Sequence, residues 1–136
     1  MRFINRVFII IVLLAGFLTC FIQINPGNAA STEIISDLIN IPNPFNAGVE
    51  PTLIRYSLSE DCSISINIYN LIGDMVKQFN EDECSGISGA QVSVKWDGRN
   101  GKGMEVADGC YICEIFARDS EGLLLDNRLL KIAVLK

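Results

Sequence analysis

Ser63-Ile64-Ser65-Ile66-Asn67-Ile68 alternates polar and apolar side chains without a break. A period of two is that of a strand, so Ile64, Ile66 and Ile68 share one face and the polar residues share the other. The same alternation runs through Thr52 to Leu58, with Ile54, Tyr56 and Leu58 on one side, and through Gln91 to Trp96, with Val92, Val94 and Trp96. Both read as half-buried strands, and Trp96 reads as a core residue.

Working outward, Met75 to Phe79 completes a hairpin through Asn70 to Asp74, where Gly73 supplies the positive φ of a tight turn. Tyr111 to Ala117 is rich in aromatic and branched residues, and Arg128 to Lys136 puts Leu130, Ile132 and Val134 on one side. Clusters of turn formers separate these runs at Pro42 to Pro51, Ser59 to Asp61, Glu81 to Ala90, Asp97 to Gly103 and Asp119 to Gly122. No window after residue 30 has a helical period, although Glu33 to Ile39 suits a short turn. The expected fold is all-β: an immunoglobulin-like antiparallel β-sandwich of about seven strands in two sheets, preceded by an N-terminal signal helix.

That signal occupies residues 1–30. Arg2 and Arg6 precede the apolar run Val7 to Leu18, and Pro26-Gly27-Asn28-Ala29-Ala30 ends in the small residues of a cleavage site, after Ala29 or Ala30. The apolar stretch extends at most from Val7 to Ile22, short of the roughly 20 residues of a membrane-spanning helix. Residues 31–38 read as a short linker and 39–136 as one domain. Removing the signal takes away Arg2 and Arg6 and no acid, so the formal charge falls from −5 to −7. An acidic chain of this size builds one core with little left for a deep cleft, and its field opposes nucleic acid, whose phosphates call for a basic face.

Six motifs follow one another in order: Pro42-Asn43-Pro44-Phe45-Asn46; Thr52-x-Ile-x-Tyr-x-Leu58; Ile68-Tyr-Asn-x-x-Gly73; Val94-x-Trp96-Asp97-Gly98-Arg99; Gly109-x-Tyr111; and the closing strand Lys131 to Lys136. Together they resemble the FlgD-type immunoglobulin-like domain, named for the flagellar hook-cap protein, from about Ile39 to Lys136. Domains like it recur at the C-termini of large secreted bacterial proteins and are similar to the C-terminal sorting domains of the type IX secretion system. The resemblance implies a sorting or attachment role at the cell surface and a protein partner, either secretion or envelope machinery or a cell-surface neighbour. It also implies a long cargo region upstream, whereas about ten residues separate the expected cleavage site from the first motif. A stand-alone structural or adhesive sandwich is therefore the alternative. The flagellar name reads as fold ancestry, because a general secretory signal opens the chain.

The motif residues have structural roles to fill. Pro42 and Pro44 donate no ladder hydrogen bond and suit an edge strand. Asp97 and Gly98 suit a turn, and Tyr111, at the start of a late strand, is placed for a tyrosine corner.

Chemistry is scarce. The chain has no histidine, which excludes Ser-His and Cys-His nucleophiles, and no glycine-rich phosphate loop leads from a strand into a helix. No catalytic, cofactor-binding or metal-binding residue is expected, no small-molecule substrate, and no membrane contact beyond the signal peptide. Asp97, Asn100 and Glu105 fail the spacing of a calcium loop. Cys62, Cys84, Cys110 and Cys113 are an even number in an exported chain, so disulfides are open in three connectivities. Cys62 and Cys84 flank the hairpin almost symmetrically and should face each other at its open end, where a bridge would add about 3 kcal/mol. Cys110 and Cys113 lie on one strand about 10 Å apart, on opposite faces, and cannot bridge each other.

Overall fold

The computed structural model describes residues 9–14, 17–22 and 33–136, in two units that divide after residue 32. In the first, β1 (Ile9–Leu14) and β2 (Phe17–Ile22) pair antiparallel, with Ile9 opposite Ile22 and Leu14 opposite Phe17. The expected signal helix falls on this segment; its remaining residues and the cleavage site lie outside the described residues.

The second unit, Glu33–Lys136, holds eight strands: β3 (Ile35–Ile41), β4 (Phe45–Asn46), β5 (Thr52–Leu58), β6 (Ser63–Tyr69), β7 (Met75–Phe79), β8 (Gln91–Trp96), β9 (Gly109–Arg118) and β10 (Leu124–Leu135). They form a three-stranded sheet, β3-β5-β8, and a five-stranded sheet, β4-β10-β9-β6-β7. One core lies between them. The alternation holds where it was read: Ile64, Ile66 and Ile68 are buried from β6, Ile54, Tyr56 and Leu58 from β5, and Ile132 and Val134 from β10. Burying a large aliphatic or aromatic side chain is worth about 1.5–3 kcal/mol, so these inward rows hold the sheets together.

Two features depart from the expectation. The stretch read as a linker and short turn is a strand, β3, and Ile34 and Ile35 are buried. Its period is broken by a bulge at Asp37, whose φ is 52°, and beyond the bulge the pattern is inverted. Polar Asn40 points inward at 7% exposure while Ile39 and Ile41 face solvent at 43% and 48%, so no apolar period survives to be read. The sheets are also not wholly antiparallel: β4 runs parallel to β10, pairing Phe45 with Val134 and Asn46 with Leu135.

The final strand is consequently an interior one. β9 flanks it on one side and β4 covers its C-terminal end on the other. The four outer strands are β3 and β8 in one sheet, β4 and β7 in the other.

Candidate functional site

Side chains close the seam between the two sheets beside β10. Asn43 Nδ2 donates to the Lys131 carbonyl at 3.0 Å, and the Ala133 N–H donates to Asn43 Oδ1 at 2.9 Å. Inward from this pair, Asn43 Nδ2 also donates to Asn40 Oδ1 at 3.1 Å and Asn40 Nδ2 to Thr52 Oγ1 at 3.1 Å. The Thr52 hydroxyl in turn donates to the Pro42 carbonyl at 2.8 Å. Thr52 and Asn40 are buried, and this chain of bonds satisfies both in a low-dielectric site where an orphan would be costly. The peptide bonds Ile41-Pro42 and Asn43-Pro44, on either side of this pair of bonds, are cis.

Further along the seam, Asp126 Oδ2 accepts from the N–H groups of Ile34 and Ile35 at 3.1 and 3.0 Å and from Arg128 Nε at 3.4 Å. Burial pushes this carboxyl up, but the two backbone donors and the guanidinium outweigh it and hold Asp126 below the ordinary value.

Most motif residues read from the sequence converge at one end of the sandwich. Phe45 meets Trp96 at a tilt of 58° with centroids 5.5 Å apart, and Trp96 meets Tyr111 edge-on at 5.6 Å. Such pairs contribute about 0.5–1.5 kcal/mol each beyond burial. Trp96 Nε1 donates to the Arg99 carbonyl at 2.9 Å, and the Tyr111 hydroxyl donates to Ala107 O at 2.7 Å, four residues upstream, which is the expected tyrosine corner. Gly98 (φ +76°) passes so close to β4 that a Cβ there would stand 2.6 Å from Ala47 Cβ. Asn46 accepts through its carbonyl from Val49 and Glu50 and turns the chain after β4. Asp97 accepts from the Arg99 N–H at 3.0 Å, and Arg99 pairs with Glu105 at 3.1 Å. Asp97 and Glu105 thus serve a turn. Among the described residues no group of three or more Cys, Asp or Glu side chains is placed to hold a metal ion.

Gly73 lies apart from this cluster, at the tip of the β6–β7 hairpin. The loop there is one of three built alike. Asn70, Asn100 and Asp119 each accept, through the side-chain oxygen, from the N–H groups two and four residues on. In each, the first residue's N–H reaches the fifth residue's carbonyl, and a glycine at the fourth place takes positive φ. The signal was present in the sequence as Asx-x-x-Gly repeated at 70, 100 and 119, and only the first was singled out. Apolar side chains at and beside these loops stand out in solvent: Leu71, Ile72, Met75 and Met104 are 71%, 84%, 55% and 56% exposed. Met75 and Met104 line, with Tyr111 and Lys102, a cleft of about 480 Å³.

The four thiols are free in the structure. Cys110 is exposed opposite Ala133 and Cys113 is buried opposite Leu130, on opposite faces as expected. The Cys62 N–H donates to Gly86 O at 2.9 Å, which brings the segment just after Cys84 against Cys62. Burial first, then the nearby Glu83 carboxylate, pushes the Cys84 thiol up to about 12, and burial first, with Cys84 and Glu114 adding to it, does the same for Cys113. Neither is a nucleophile at neutral pH.

The fold and this arrangement define a class: a small all-β sandwich whose polar side chains lock strands and shape turns. Two solved structures that it resembles are parts of much longer proteins. PorZ of Porphyromonas gingivalis, an essential bacterial surface component of the type IX secretion system, matches at 23% identity with a TM-score of 0.50, over 82% of this chain and 13% of that one. Latent PorU of the same organism, crystallised as a dimer, matches at 21% identity with a TM-score of 0.54, over 72% of this chain and 9% of that one. At these identities the likeness shows a shared fold. No family model and no curated sequence matches the chain.

Proposed function

We propose that this chain is a non-catalytic, exported immunoglobulin-like module of FlgD type that sorts or attaches protein at the bacterial cell surface through a protein partner. The observation carrying this reading is the fold shared with segments of PorZ and PorU, the former named as a surface component of type IX secretion. The order of the six sequence motifs supports it, as does the meeting of Phe45, Trp96, Gly98 and Tyr111 at one end. Because β10 is held on both sides from Lys131 onward, machinery that reads the final strand would read its outward side chains Leu129 and Leu135, which are 66% and 53% exposed.

The test fuses residues 31–136 behind a reporter in a host with type IX machinery. Surface delivery that falls on Leu129→Ser with Leu135→Ser, the fold being intact by circular dichroism, supports sorting. A folded module retained in the periplasm overturns it. The exposed Leu71, Ile72, Met75 and Met104 favour a second reading, an adhesive module that binds a neighbour by its loop end; Ile72→Ser with Met104→Ser would then abolish cell-surface adhesion while delivery continued.

A further inference from the structure

Three of the four outer strands are guarded. β4 is two residues long, β3 carries the Asp37 bulge and runs into Pro42, and β7 is capped where the Gly101 N–H donates to the Val76 carbonyl at 2.9 Å. Among the described residues β8 has no bulge, proline or covering loop, and its single edge charge is Lys95. It pairs with β5 in unbroken register from Gln91 to Trp96, and among the described residues no hydrogen bond reaches its other edge. Short strands, bulges, proline, covering loops and edge charges, lysine above all, are the usual defences of an edge, so β8, guarded by Lys95 alone, is open to an extended chain whose acidic side chains meet that lysine.

The face beside this edge has its own chemistry. Outside the signal the chain carries −7, yet β5 and β8 contain no carboxylate, and their charged side chains are Arg55 and Lys95. Cross-strand register sets Arg55 between Ile39 and Ser93, and Leu53 between Ile41 and Lys95. Among the described residues Arg55 makes no ion pair, and its buried Nε has no hydrogen-bond partner. Lys95 shares a cleft of about 200 Å³ with Glu50, Asp97 and Arg99 and is paired with neither acid. An arginine whose Nε is buried without an acceptor is matched by a carboxylate, which a guanidinium can hold bidentately.

We propose that the free edge of β8 is a strand-addition site for an extended segment of a partner protein that carries alternating acidic and apolar side chains, its carboxylate reaching Arg55. Strands stand about 4.8 Å apart, so an added strand lies about 10 Å from β5, within the joint reach of an arginine and a glutamate side chain. The residue between them is Ser93, short enough to leave the path open. Main-chain bonds along β8 supply affinity, and Arg55 with Lys95 selects acid over base, as in other peptide-adding edges. The inference rests on the reading of the chain as a docking module and names the partner's chemistry.

The test uses the whole purified chain and fluorescein-labelled peptides of alternating glutamate and valine, of lysine and valine, and of the glutamate series with a central proline, followed by anisotropy. The glutamate peptide should bind, the other two about tenfold or more weaker, and binding should slow amide exchange in Gln91–Trp96. Arg55→Gln should weaken the glutamate peptide about tenfold, the effect of one charge-assisted pair. Ser93→Glu, which supplies the carboxylate internally, should raise the melting temperature and remove binding, so the proposal does not depend on Arg55→Gln folding. Equal binding of acidic and basic peptides, no binding by any, or protection appearing in Met75–Phe79 would overturn it. Surface delivery lost while peptide binding persists would overturn the sorting role and leave this site standing.

Discussion

Asn43 and Ala133 are joined as residues of neighbouring strands are joined: the Ala133 N–H donates to Asn43 Oδ1 at 2.9 Å, while Asn43 Nδ2 answers the carbonyl of Lys131 at 3.0 Å. One carboxamide thus stands in for a peptide group and continues the parallel β4–β10 pairing one step toward β3. Asn43→Ala removes three hydrogen bonds, one of them to buried Asn40, and should lower stability by about 2 kcal/mol while speeding amide exchange at Ala133 before any other β10 position. Hydrogen exchange read by NMR checks this; an unchanged Ala133 would refute the bridge.

Tyr111→Phe keeps the ring against Trp96 and leaves the Ala107 carbonyl without its donor. A loss of about 1 to 2 kcal/mol in urea unfolding is expected, with the near-ultraviolet signal of Trp96 retained.

Glycine substitutions should separate crowding from backbone strain. Gly98→Ala forces a Cβ to within 2.6 Å of Ala47 Cβ at a φ of +76° and should cost about 3 kcal/mol. At Gly73 the φ is +94° but the space is open, so Gly73→Ala should cost about 1 kcal/mol. Equal costs in thermal melts would contradict the packing of Gly98 on β4.

Asp126 ties stability to acid. Its folded carboxyl lies below the value of 3.8 it has when unfolded. A depressed folded value means stability fully present above 3.8 and lost as pH falls through the folded value. Asp126→Asn should therefore destabilise by about 2 kcal/mol at pH 6, with the gap to the parent closing as the pH falls through the folded value. Denaturant midpoints for the two proteins across that range decide it.

Alkylation should rank the thiols. In the reduced, folded protein, Cys110 should react first and Cys62 next, with Cys84 and Cys113 modified only on unfolding, because burial withholds both access and thiolate. The pairing expected of Cys62 and Cys84 has a separate readout: a linked peptide in digests of the exported protein prepared without reductant.

The strands were legible where polarity alternates against a single core: Ile64 to Ile68, Ile54 to Leu58 and Ile132 to Val134 point inward as their period of two dictates. The tyrosine corner and the turn chemistry of Asp97 and Gly98 were legible too, since each is local, spanning a few residues of chain. β3 was not, because its inward residue is Asn40, whose burial is tolerable only with Thr52 and Asn43 beside it, up to 12 residues away. Asp126 was hidden for the same reason, serving N–H groups 91 and 92 positions back.

Alternation dictated an all-β sandwich and which faces would be greasy, because solvent and core sort side chains one strand at a time. Which strands lie outermost, that the C-terminal end of β10 is covered and β8 open, and that Arg55 Nε finds no acceptor among the described residues came from the folded chain, because backbone pairing and charge neutralisation depend on partners that chain order does not place side by side.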